Sequence, residues 1–243
     1  MPAKKVPTIS ANQALQAWVQ AHPDQRLEEV EEIYLQFQAP PIKAMSDKLA
    51  QLANCKKLSI STNNIEEIGF LPPRIEILAI GRNMLKRLDK IDRAAATLTQ
   101  LWMSYNTVKS FAPLVACKRL RVLYAAHNLI DKMSEIDRLG QLPNLEDIVL
   151  IGNPLYIDLQ KKGTYKPEIT KRLKKLQVLD GEALAGSGNA EEPPPAPTGG
   201  ATTGNATGNA TGNATGTTSE NGSRSQSPRP DSTGQASRGS SRQ

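Results

Sequence analysis

Five stretches of the chain carry one arrangement of apolar positions, L-x-x-L-x-L-x-x-N-x-L. Cys55, Leu58, Ile60, Asn63 and Ile65 fill it first, then Ile75, Leu78, Ile80, Asn83 and Leu85. Leu98, Leu101, Met103, Asn106 and Val108 follow, then Leu120, Leu123, Ala125, Asn128 and Ile130, then Leu145, Ile148, Leu150, Asn153 and Leu155. The asparagines are spaced by 20, 23, 22 and 25 residues. A weaker copy precedes them (Val30, Ile33, Leu35, with Gln38 in the asparagine place), and Leu176 and Leu179 before Asp180-Gly181 make a final half-copy. The apolar-x-apolar pair predicts a short strand, because alternate strand side chains point to opposite faces. An asparagine at the next turn can donate to and accept from backbone groups that a tight turn would otherwise bury unpaired. Asn63, Asn83, Asn106, Asn128 and Asn153 are therefore read as a structural ladder.

This period and composition belong to leucine-rich repeats. The predicted fold is an α/β solenoid with a short-strand parallel sheet, helical caps at both ends and a disordered C-terminal tail. Solenoid ends need covering. Ala11, Ala14, Leu15, Trp18 and Val19 recur at helical spacing, Ser10 with Gln13 fits a capping box, and His22-Pro23 ends the helix. Trp18 is read as core. At the other end, Pro167 opens a helix carrying Ile169 and Leu173. The boundaries are 1–26 for the capping helix, 27–184 for the repeats with their C-terminal cap, and 185–243 for the tail.

The non-consensus strand positions fix what the open sheet face presents. With the second leucine of each copy as anchor, the position after it reads Tyr34, Ser59, Ala79, Trp102, Tyr124 and Val149. The position before it reads Glu32, Lys57, Ile77, Gln100, Val122 and Asp147. Three residues after the anchor stand Gln36, Ser61, Gly81, Ser104, Ala126 and Ile151. A solvated face should be polar. Here Ile77, Trp102, Val122, Tyr124, Val149 and Ile151 predict an exposed apolar patch for a protein partner, since such patches mark interaction sites and Trp and Tyr dominate hot spots. Arg82, Tyr105 and His127, just past the strands, form a candidate polar rim.

Composition narrows the function class. From Asn189 onward there is no Leu, Ile, Val, Phe, Trp or Tyr, so that stretch cannot bury enough apolar surface to offset its ordering entropy. Its period-four Thr-Gly-Asn-Ala run, its sequons at Asn205, Asn209, Asn213 and Asn221, and Ser227-Pro228 belong to that tail. The N-terminus lacks the apolar segment of a secretory signal and no run is long enough to span a membrane. The sequons are then silent. The net charge of +6 lies in the folded part, with Lys161, Lys162, Lys166, Lys171, Arg172, Lys174 and Lys175 as a candidate basic patch. That patch reads either as a solvated helix face or as a docking surface for an acidic partner. It lacks the interleaved aromatics of nucleic-acid binders. Cys55 and Cys117 show no metal-ligand spacing, and only His22 and His127 occur in the chain. No phosphate loop, dinucleotide fingerprint, nucleophile elbow or histidine-based triad is present. The reading is a non-catalytic binding module with no cofactor, no metal site, no nucleic-acid partner and no membrane attachment.

The runs ANCKKLSISTNNIEEI, IGRN, LWMSYN, EDIVLIGNPL and KLQVLDG, behind this N-terminal helix and Pro40-Pro41-Ile42, resemble the leucine-rich-repeat light chains of axonemal outer-arm dynein. The resemblance covers about residues 8–184. The repeat alone would fit equally the short-repeat class of phosphatase-1 regulators and the spliceosomal A-prime protein. What the resemblance implies is a regulatory subunit on a dynein heavy chain near its microtubule-binding region, in the cytoplasm and cytoskeleton of cilia and flagella. The apolar sheet face would meet the heavy chain, and the basic segment would approach tubulin. The alternative is a leucine-rich-repeat scaffold such as a phosphatase-1 regulatory subunit.

Overall fold

The computed structural model describes residues 7–185. The tail from residue 186 on, with its sequons and Ser227-Pro228, lies outside the described residues. In chain order the elements are β1 (Ile9–Ser10), α1 (Ala11–Ala21), β2 (Glu32–Tyr34), β3 (Ile42–Ala44), β4 (Lys57–Ser59), β5 (Ile77–Ala79), β6 (Gln100–Trp102) and β7 (Val122–Tyr124). Then come α2 (Met133–Leu139), β8 (Asp147–Val149), α3 (Pro154–Lys161), α4 (Tyr165–Arg172), β9 (Val178–Leu179) and β10 (Glu182–Ala183). Eight strands form one sheet in the order β10-β9-β8-β7-β6-β5-β4-β2, and β1 pairs with β3 separately. This is the leucine-rich-repeat solenoid.

The strands are short because only their middle residue needs to point inward. Ile33, Leu58, Leu78, Leu101, Leu123 and Ile148 lie in register across the parallel ladder and are fully buried. Single helical turns at Asp47–Gln51, Ile91–Ala94 and Ala112–Ala116, then α2, make the return legs and bury Leu49, Ile91, Leu114 and Ile136 against that row. The short coil through Pro72-Pro73 has no helical turn, yet β5 keeps its register with β4. Glu135 is a buried carboxylate that the sequence pattern did not flag. Its Oε2 accepts from the Phe111 amide at 2.7 Å and the Ser110 hydroxyl at 2.9 Å, and its Oε1 from Arg138 at 3.2 Å, so one side chain ties two coils together.

Each ladder asparagine joins two coils. The Asn128 oxygen accepts from Val108 N at 3.1 Å, while its amide nitrogen donates to Met103 O at 3.1 Å and Ala125 O at 3.2 Å. Asn63, Asn83, Asn106 and Asn153 repeat this with Ile42, Ile65, Leu85 and Ile130 as donors. To aim the asparagine inward, the residue before it turns left-handed: Thr62, Arg82, Tyr105 and His127 have φ between 50° and 59°, and Gly152 takes 77°. Side chains other than glycine resist that region. The backbone bonds to the next coil hold them there, as from Tyr105 N to Ala126 O at 2.8 Å.

Both ends are closed. Ser10 and Gln13 form the reciprocal capping box of α1, which buries Ala11, Ala14 and Leu15. Trp18 sits at the margin of the core, its indole stacked 4.3 Å from His22. At the far end Asp180 and Gly181, both with positive φ, turn β9 into the antiparallel β10. Two left-handed residues make the turn type that suits a two-residue hairpin. Asp180 also replaces the ladder asparagine, its Oδ1 accepting from Leu150 N at 2.6 Å and its Oδ2 from the Tyr165 hydroxyl at 2.5 Å. Burial, then this bond, hold the Tyr165 phenol well above its usual range.

Candidate partner-binding face

The open face is built by the residues flanking each strand centre. Register places Ala79, Trp102, Tyr124 and Val149 in one row, and Ile77, Gln100, Val122 and Asp147 in the row beside it. The expected continuous apolar plate is therefore broken. Gln100 separates Ile77 from Val122, and Asp147 ends their row. Trp102 also does not stand clear: it is only 7% exposed, whereas Ile151 is 37% exposed. Its ring packs against Tyr124, with centroids 6.0 Å apart and planes at 15°. On its other side Ala79 and Ser59 are 1% and 3% exposed. Such small groups cannot cover themselves on an open sheet, and Trp102 is the large side chain next to Ala79 in this row. Trp102 belongs to the face as a flattened tile, with Tyr124, Val149 and Ile151 offering the accessible surface.

Polar atoms are set into this face. The Tyr124 hydroxyl donates to Asp147 Oδ2 at 3.0 Å. Burial raises the phenol well above its usual range, and the neighbouring carboxylate adds to the effect. Burial also raises the Asp147 carboxyl, against the Tyr124 bond, with the charge of Asp180 pushing the same way as burial. Five buried side-chain polar atoms lack a hydrogen-bond partner among the described residues, and four of them lie on this face: Gln36 Oε1, Gln100 Oε1, Trp102 Nε1 and Asp147 Oδ1. Buried polar groups are normally paired, so the concentration marks the face as the least satisfied part of the fold. At its N-terminal border the Tyr34 hydroxyl bonds Glu32, and Lys57 lies 5.3 Å above the Tyr34 ring.

The rim residues form a stack. The Arg82 guanidinium lies 4.4 Å above the Tyr105 ring, and Tyr105 stacks on His127 at 4.4 Å and 15°. His127 in turn covers Gly152, where a Cβ would come within 2.4 Å of its Nδ1. Only glycine fits beneath that ring. The pattern placed these residues beside the face, but their stacking depends on the left-handed turns, which no apolar period encodes.

The seven residues of the basic segment are dispersed and partly neutralised. Arg172 bonds Asp137 at 2.9 Å and Glu168 at 2.5 Å, Lys162 pairs with Asp158 and Lys166 with Glu182. Lys175 donates to Pro143 O. Lys161, Lys171 and Lys174 have no ion-pair partner among the described residues. Burial pushes both the Cys55 and Cys117 thiols up to about 11, which keeps them protonated and weakly nucleophilic. Among the described residues no cluster of His, Cys, Asp and Glu could hold a metal ion, and no helix is long and apolar enough to cross a membrane.

No family model matches the chain. Among solved structures, a leucine-rich-repeat protein of Leptospira interrogans superposes with a TM-score of 0.51 at 21% identity, covering 62% of this chain and 37% of that longer one, a likeness of fold alone. Curated relatives are far more similar in sequence. Dynein axonemal light chain 1 of Chlamydomonas reinhardtii is 42% identical over 158 residues, 63% of this chain and 80% of the relative. The Homo sapiens protein of the same name is 40% identical over 182 residues, 74% of this chain and 95% of the relative. At this identity, over nearly the whole length of the relatives, the chain belongs to the axonemal dynein light chain 1 family.

Proposed function

We propose that the face formed by Ile77, Trp102, Val122, Tyr124, Val149 and Ile151, rimmed by Arg82, Tyr105 and His127, docks on an axonemal outer-arm dynein heavy chain near its microtubule-binding region. The docked subunit regulates motor activity in the axoneme of cilia and flagella. The observation that supports this most is the in-register row of Trp102, Tyr124 and Val149 on the open sheet of a chain in this family. The name of the relatives speaks for a dynein partner and an axonemal location. Ring stacking and the parallel ladder preorganise the face, so binding orders few side chains and little affinity is lost to entropy. The chain acts as a rigid, non-catalytic clamp. In this reading Lys161, Lys171 and Lys174, the unpaired cations of the C-terminal cap, are the groups free to approach the acidic tubulin surface.

The test is capture of heavy chain from axonemal extract by the immobilised full chain. Val149→Glu with Ile151→Glu, and separately Trp102→Ala with Tyr124→Ala, should weaken capture at least about thirtyfold, the weight of one hot-spot residue. Circular dichroism should show the repeat fold retained. Undiminished capture by both folded variants would move docking to another surface.

A further inference from the structure

The turn side of the middle coils carries a second surface that the sheet face does not use. Backbone bonds from Met84 N to Ile65 O, Thr107 N to Leu85 O and Leu129 N to Val108 O, each 2.9 Å, set these three residues side by side in successive coils. Met84 is 51% and Leu129 39% exposed, at positions where a solvated turn would be polar. Beside them runs a groove lined by Lys86, Thr107, Lys109, Pro113 and Leu129, among others. Two residues past Met84 and Thr107, Lys86 and Lys109 occupy equivalent places on its lips. Neither has an ion-pair or hydrogen-bond partner among the described residues, whereas Arg87 at the same groove is held by Asp89 at 3.0 Å. The groove therefore has an aliphatic floor and two uncommitted cations spaced by one coil.

We propose that this groove is a second docking surface, taking an acidic polypeptide segment whose carboxylates meet Lys86 and Lys109 while its aliphatic side chains cover Leu129 and Pro113. Like charges on adjacent coils repel, and carboxylates set against them relieve that repulsion and gain charge-assisted hydrogen bonds. Leu129, with Pro113 beside it, supplies the apolar contact that a purely ionic site lacks. The surface lies past the asparagine ladder rather than on the sheet, so it can be filled while the sheet face is occupied. A light chain with both surfaces in use would bridge two partners.

The experiment is a fluorescence-anisotropy titration of the full chain with a labelled peptide of repeating Glu-Glu-Leu. Lys86→Glu with Lys109→Glu should weaken binding about tenfold or more, and Leu129→Ser about threefold to tenfold. A peptide with glycine in place of leucine should bind several-fold more weakly, and Trp102→Ala with Tyr124→Ala should leave binding unchanged. All these substitutions except that last pair are on the surface, and circular dichroism checks the fold of each. The proposal is overturned if the peptide does not bind. It is equally overturned if Lys171→Glu with Lys174→Glu removes binding while the Lys86 and Lys109 pair does not, or if every charge reversal has the same effect.

Discussion

Asn128 makes four hydrogen bonds from one amide, two within its own turn and two to the preceding coil. For Asn128, which is 3% exposed, removal of the amide orphans Val108 N, whereas the carbonyls of Met103 and Ala125 each lose one donor and keep the amide nitrogens of Asn106 and Asn153. Each buried group left unpaired costs about 1–3 kcal/mol. Asn128→Ala should therefore lower unfolding stability by about 2 kcal/mol, measurable by urea denaturation, and the exchange of the Val108 amide should speed up most. A loss below about 1 kcal/mol would mean that the turn finds other partners. The ladder was legible because its residue type and its period coincide. Asp147 was not: its place in the pattern is that of an outward polar residue, and only the register, which sets it beside Tyr124, explains its burial. Gly152 reads in sequence as a routine turn glycine, while its reason, the His127 ring above it, belongs to the neighbouring coil.

At the scale of elements, the strands and the N-terminal cap follow from local pattern, because period two and a capping box are both short-range signals. The C-terminal end is different. Asp180-Gly181 stands at the close of an incomplete repeat, yet it is also a dipeptide favoured in two-residue hairpins, and the structure uses it to fold β10 back on β9. That gives the last parallel strand an antiparallel neighbour and leaves Asp180 to serve as the ladder's final rung. Asp180→Ala should cost about 2–3 kcal/mol, because Leu150 N loses its acceptor and the Tyr165 hydroxyl loses its partner. Hydrogen exchange would show the loss concentrated at Leu150 and Ile151 and along α4, with β4 and β5 protected as before. Uniform exchange across all coils would instead mean that the hairpin is a part of one cooperative unit rather than a cap. The rim stack is intermediate: its residues are visible in sequence, but their contact requires left-handed turns in successive coils.

For the whole molecule, the sheet face is where stability is given up, and pH can reveal it. Burial raises the Asp147 carboxyl above its ordinary value of 3.8, so the fold favours the protonated form. A group whose folded pKa is raised contributes its stability below the unfolded value and loses it as pH rises through the folded value. At neutral pH the ionised Asp147 therefore weakens the fold. The groups facing it are Tyr124, which donates to it from β7, and Asp180 beyond β9, whose charge opposes its ionisation. Asp147→Asn keeps an acceptor for the Tyr124 hydroxyl and removes the buried charge, at the smaller cost of an unpaired amide. The variant should be more stable than the parent at pH 7, by an amount on the order of 1 kcal/mol, and the difference should shrink as pH falls toward 4. Paired urea titrations at the two pH values measure it. A parent chain that matches or exceeds the variant at pH 7 would show that the charge is compensated within the fold. If the predicted gain is found, the carboxylate is kept on the open face against the interest of the fold, and stability sacrificed at one surface points to use of that surface.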